Sequence, residues 1–106
     1  MIRHSVTFSL LPRERRDGTR SVQVTVTWSG HRIRHTLPVP VPYDAWDAVR
    51  QRARNTRTFR GAEGVNAAIQ DADKAVSDLF TRCRLEGRRP SSSDVASVFG
   101  SSLSAG

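Results

Sequence analysis

Several short stretches of this chain set hydroxyl, amide and guanidinium side chains at every second position. In residues 31–37, Arg32, Arg34 and Thr36 hold one parity, while Ile33, His35 and Leu37 hold the other. In residues 20–28, Ser21, Gln23, Thr25 and Thr27 alternate with Val22, Val24, Val26 and Trp28. In residues 4–11, Thr7 and Ser9 alternate with Val6, Phe8 and Leu10. Arg donates two parallel hydrogen bonds to guanine O6 and N7; Gln pairs with adenine in the same bidentate way; Thr offers a methyl to thymine or a hydroxyl to phosphate. The polar set holds no carboxylate, whereas a merely solvated face mixes both signs. Residue types and spacing together point to a surface that meets a duplex groove. Gln23, Thr25, Thr27, Arg32 and Arg34 are the candidates for base edges, with Thr7, Ser9 and Thr36 beside them. Arg13, Arg15, Arg16 and Arg20 flank these stretches and suit phosphates.

The charge balance agrees. Across 106 residues, 17 Lys and Arg oppose 10 Asp and Glu, a net charge of +7, and Lys74 is the only lysine. Residues 1–60 carry twelve Arg against Glu14, Asp17, Asp44 and Asp47, or +8; residues 61–106 carry four Arg and Lys74 against six acids, or −1. A basic half beside a near-neutral half suggests that one part meets a polyanion and the other is scaffold. Arg-rich coding composition explains many arginines but not their uneven placement.

Other chemistries fit poorly. His31 and His35 are four residues apart, which on a strand separates their side chains by ~13 Å, too far to share one metal ion. Cys83 falls on an apolar helical spacing and reads as a small buried hydrophobe rather than a nucleophile. Gly61 and Gly64 make only a G-x-x-G, without the rest of a phosphate loop. No Ser/His/Asp order or carboxylate pair with a pocket emerges. No catalytic residue, metal, cofactor or small-molecule ligand is therefore expected. A single Cys fits a reducing cytosol, and there is neither a membrane-length apolar run nor a signal-peptide h-region.

The elements that position the polar face follow from periodicity. The length suits one domain with one modest core. Alternation predicts strands at about 4–11, 20–29 and 31–37, the last two joined by a tight Ser29-Gly30 turn. Pro38, Pro40 and Pro42 cannot sit in a central strand. They predict an extended rim leading to Tyr43 and Trp46, which are expected to cap the core. Residues 48–61, with Arg50, Arg52, Arg54, Arg57 and Arg60, read as a basic loop or weak helix that would also lie against phosphates.

From about 62 to 86 the period changes. Val65, Ile69, Ala72, Val76, Leu79 and Cys83 form one helical stripe, widened by Phe80, and Gly87 suits the position after the helix. A helix of ~24 residues spans ~36 Å and a strand of eight ~26 Å, so the helix covers the sheet's apolar face and protrudes. A Ser N-cap then opens one or two turns with Val95, Val98 and Phe99, before a flexible end at 101–106. The expected fold is α+β: a three-stranded antiparallel sheet packed on one face by a long C-terminal helix, with a short second helix. The domain would span 4–86, followed by a connector at 87–106.

The order of these pieces resembles a known family. Strand "SVTFSLLP", a basic Asp-Gly turn, strand "SVQVTVTWSG", strand "HRIRHTLPVPV", then "PYDAWD" and the helix "GVNAAIQDADKAVSDLF" follow one another. That order is similar to the N-terminal arm-type DNA-binding domain of tyrosine recombinases, especially integrases of phages and conjugative transposons. Trp46-Asp47 and Val65-Asn66 stand where the family pattern has them, and residues 88–100 look like its connector to a core-binding domain. The resemblance implies sequence-specific binding of double-stranded arm-type sites by the sheet in the major groove, in the bacterial cytoplasm on the nucleoid. It implies other integrase subunits as further partners and a longer parent enzyme. The family's catalytic Arg, Lys, His and Tyr set is not in this stretch, and Tyr43 is not that nucleophile, so no catalysis is expected here. Arg where relatives often have Lys, and the rigid run of prolines at 38, 40 and 42, depart from the pattern.

A rival function of a different class is a protein-interaction module, in which the stripe from Val65 to Cys83 mates with another subunit. RNA binding is weaker still, because the sheet lacks exposed aromatics for stacking on unpaired bases.

Overall fold

The computed structural model describes residues 4–104, with side chains through Phe99. The architecture is α+β: strands β1 (His4–Leu10), β2 (Thr19–Trp28) and β3 (His31–Pro42) form an antiparallel sheet in the order β1-β2-β3. A 24-residue helix, α1 (Ala62–Leu85), covers one face, and a second helix, α2 (Ser92–Ser104), follows. Between sheet and helix lie a turn at Tyr43–Ala45 and a two-strand hairpin, β4 (Trp46–Asp47) and β5 (Arg52–Ala53).

Strand parity decides the layering. Val22, Val24, Val26 and Trp28 are buried, as are Phe8 and Leu37 from the flanking strands. They meet Val65, Ile69, Val76, Leu79, Phe80 and Cys83 of α1 in one continuous core. That stripe is therefore consumed inside the chain and is not free to mate with another subunit. Burying it against the sheet removes from water the apolar area that drives both helix formation and packing. Ser29 and Gly30 both take positive φ, 43° and 81°, the geometry of a type I′ hairpin whose twist matches its strands.

β3 runs further than the alternation before Pro38 indicates. Val22 pairs with Leu37 and Ser21 with Pro40, so Pro38 and Val39 form a bulge and pairing resumes at Pro40 and continues through Val41 and Pro42. Two extra residues keep parity, and Val41 returns to the core fully buried. The tight hairpin makes Trp28 and His31 a hydrogen-bonded pair, so odd positions of β3 bond to β2. All three prolines are even and lie on the outermost strand, where the amide that proline lacks would have faced away from the sheet.

Tyr43 does not cap the core. It is 68% exposed, while Trp46 does pack against the core. Residues 46–53 form a hairpin rather than a loop or weak helix. Asp47 accepts N–H bonds from Val49 and Arg50, and Gln51 takes a left-handed φ of 55°. Gln51 Oε1 then accepts the Phe8 amide at 2.8 Å, capping part of the open β1 edge. Asn66 of α1 locks this hairpin by bonding both the amide and the carbonyl of Ala53, at 2.8 and 2.9 Å.

α1 ends in a Schellman motif: Arg88 N–H bonds Cys83 O at 2.9 Å and Gly87 N–H bonds Arg84 O at 3.1 Å, with Gly87 at φ 72°. α2 is longer than one or two turns and extends to Ser104, through residues expected as a flexible end. Its start is held by a reciprocal cap. Ser91 Oγ accepts the Asp94 amide at 3.1 Å, and Asp94 Oδ2 accepts both the Ser91 amide and Arg88 Nη1 at 2.9 Å. The Ser91 amide first, then Arg88, holds the Asp94 carboxyl below its ordinary range. Val95 and Phe99 enter the core, and Phe99 stacks on His35 with ring centroids 4.8 Å apart. Once this docked first turn exists, elongation adds one backbone bond per residue ordered, which carries the helix through the Gly/Ser stretch. Ser91→Ala is expected to cost about 1 kcal/mol of stability, read as a lower urea midpoint at unchanged slope.

Candidate nucleic-acid interface

The face of the sheet opposite α1 is built of ranks set by register. Ser5, Thr27 and Arg32 lie side by side; so do Thr7, Thr25 and Arg34; so do Ser9, Gln23 and Thr36. Neighbouring ranks are ~6.6 Å apart along the strands, and the three strands span ~9.6 Å between outer backbones. That backbone-to-backbone span is below the width of a major groove, about 12 Å. The molecule measures 49 × 31 × 22 Å, and its shortest dimension admits one sheet and one helix layer. No described element covers the ranks.

Within the ranks, chemistry is graded across the sheet. Hydroxyls occupy β1 and most of β2, while the guanidinium groups stand on β3. Ser5 and Thr27 share a hydroxyl–hydroxyl bond of 2.6 Å. Gln23, Thr25 and Thr27 are half-buried by neighbours on both sides; Thr7, Ser9, Arg32, Arg34 and Thr36 are exposed. Neither Arg32 nor Arg34 forms an ion pair with a described residue. The carboxylates of α1, at Glu63, Asp71, Asp73 and Asp78, belong to the opposite layer.

The phosphate candidates separate into two groups. Arg13, Arg15 and Arg16 are exposed on the β1–β2 loop, beyond the third rank. The loop is tied by Arg15 N–H to Thr19 O at 2.7 Å and by Asp17 Oδ1, which accepts from the Thr19 hydroxyl and amide. Those two bonds lower the Asp17 pKa, the hydroxyl contributing most. Asp17 thus stays charged and committed to the turn.

Arg20 is apart from the rest. It pairs with Val41 on the parity of the core, and its guanidinium lies over the Tyr43 ring at 4.8 Å. Its Nε is buried without a hydrogen-bond partner among the described residues. The even-number parity it shares with Val22 was legible, but Arg20 stood at the expected start of a strand that in fact begins at Thr19. Ser5 belongs to the first rank although it was not among the candidates; its parity with Thr7 and Ser9 is the signal that includes it.

No protein-family model, curated protein or solved structure matches this chain. Among the described residues, no helix is long and apolar enough to cross a membrane.

Proposed function

We propose that this chain binds double-stranded DNA sequence-specifically, laying the outer face of its sheet in the major groove. The observation that carries this function is the carboxylate-free set of three ranks that no described element covers, with Arg32 and Arg34 on one edge and without an ion pair to a described residue. A partner that matches such a surface must offer closely spaced acceptors and negative charge on a concave wall, as a DNA groove does. The order of strands, Trp-Asp pair and helix further supports an arm-type DNA-binding domain of a tyrosine recombinase, acting on bacterial DNA in the cytoplasm beside other integrase subunits. In that role this stretch recognises DNA and leaves strand cleavage to a separate catalytic domain.

The test is a salt titration of duplex binding by fluorescence anisotropy. If about five phosphates are neutralised, log K against log[salt] should slope near −4.5. Between 50 and 200 mM salt that amounts to a loss of roughly 500-fold. A flat titration, or no binding at low salt, overturns the proposal.

A further inference from the structure

The near-neutral half of the chain is not uniform. Residues 62–81 carry Lys74 against Glu63, Asp71, Asp73 and Asp78, a net −3; residues 82–94 carry Arg82, Arg84, Arg88 and Arg89 against Glu86 and Asp94, a net +2. The shaft of α1 is acidic and its exit is basic. Averaging over the half hides this.

The fold brings that basic exit to one end of the polar face. Trp28, the last residue before the Ser29-Gly30 turn, donates its indole N–H to Pro90 O at 3.1 Å. Arg89 is therefore one residue from a buried anchor at the sheet's end. Phe80 packs edge-on against Trp28 at 5.8 Å and stacks on His4 at 4.2 Å. Arg84 lies four residues on, on the same side of α1 and one turn further past the sheet. Arg88 is already engaged, with Glu86 at 3.4 Å and Asp94 at 2.9 Å. That leaves Arg82, Arg84 and Arg89 exposed and without an ion pair to a described residue. Arg82, two residues from Phe80, lies on the other side of α1, so Arg84 and Arg89 are the two at this end. Around the same turn, His4, Ser5, Thr27, His31 and Arg32 line an open hollow that joins the first rank to this end.

Resting on the DNA-binding function above, we infer that Arg84 and Arg89 form a second, sequence-independent seat for the DNA backbone, beyond the Ser29-Gly30 end of the sheet. The depth of the groove makes this reachable. Phosphate walls stand about 8.5 Å above the groove floor, while a packed layer lies ~10 Å behind a sheet. A sheet face against the base edges thus brings the walls level with the helix layer, and the long Arg stem closes what remains. The acidic shaft, on the far side, keeps the opposite orientation unfavourable.

The experiment compares the wild-type chain, Arg84→Gln/Arg89→Gln and Lys74→Gln on a preferred and an unrelated duplex, each over a salt series, with melting temperature recorded alongside. The double variant keeps the stems and should fold as the wild type does. Loss of two phosphate contacts should move the slope from near −4.5 to near −2.7, and weaken binding about 60-fold at 0.1 M salt, equally on both duplexes. Lys74→Gln should leave the slope unchanged. An unchanged slope in the double variant, with steep wild-type binding, overturns the seat and leaves groove recognition standing. An equal drop in Lys74→Gln assigns the effect to net charge and also overturns it. A loss confined to the preferred duplex makes these arginines base readers and does the same. A flat wild-type slope removes the DNA-binding function itself.

Discussion

Trp28→Ala is expected to lower the unfolding free energy by about 3–5 kcal/mol, as for other buried tryptophans cut to alanine. Trp28 is 3% exposed and stands where three parts of the chain converge. Its ring meets Phe80 of α1 edge-on, and its N–H holds Pro90 in the segment that turns into α2. Truncation empties that junction and strands the Pro90 carbonyl. Against a domain total of roughly 5–15 kcal/mol, the variant loses a large fraction of its stability, measurable as a fall in urea midpoint. Trp28→Phe separates the two contributions. It keeps most of the apolar volume and forfeits the bond, so a cost of about 1–3 kcal/mol is expected from the unsatisfied carbonyl. Equal losses in both variants would assign the whole effect to the hydrogen bond rather than to packing.

Arg32→Ala combined with Arg34→Ala is expected to weaken binding to a preferred duplex by about 2–6 kcal/mol, taking 1–3 kcal/mol for each bidentate guanine contact. Both side chains are exposed and lack described ion-pair partners, so the fold should be indifferent to their loss. Their spacing sharpens the expectation. Two residues along a strand cover ~6.6 Å, close to the rise of two base pairs at ~3.4 Å each. Each single variant should relax preference at one base pair, and the two positions should lie two steps apart. At that separation the pair is close enough to couple, so the double need not equal the sum of the singles. Anisotropy with base-substituted duplexes reads both effects. A loss that is equal on every sequence would demote the two arginines to phosphate contacts.

Much of the fold is local chemistry and was legible as such. The alternation of Val22, Val24, Val26 and Trp28, the Ser29-Gly30 turn, the stripe from Val65 to Cys83 and the Gly87 stop each follow from backbone periods and φ preferences of neighbouring residues. Less legible were the places where remote residues meet. The β4–β5 hairpin depends on Asn66, thirteen residues from Ala53, and on Gln51 reaching the Phe8 amide across 43 residues. Nothing in the local composition of residues 48–61 announces those partners; the arginines there read only as a basic loop. The helical turns beyond Phe99 were missed for a related reason. Gly and Ser have poor helix propensity, yet propensity yields to tertiary docking, here of Val95 and Phe99 into the core.

The candidate site divides along the same line. Which residues share the polar face is a matter of parity, and parity has a period of two that any reader of the chain can count. The sequence by itself therefore determined that serines, threonines, Gln23, Arg32 and Arg34 stand together without an acid among them. Only the tertiary structure decided that β3 continues past its prolines by bulging at Pro38 and Val39, that Arg20 turns inward onto Tyr43, and that the basic end of α1 arrives beside the hairpin. Those outcomes depend on register and on contacts between distant segments. Such contacts form wherever burial and hydrogen bonding of the whole chain are best satisfied together, and no short window of residues contains that information.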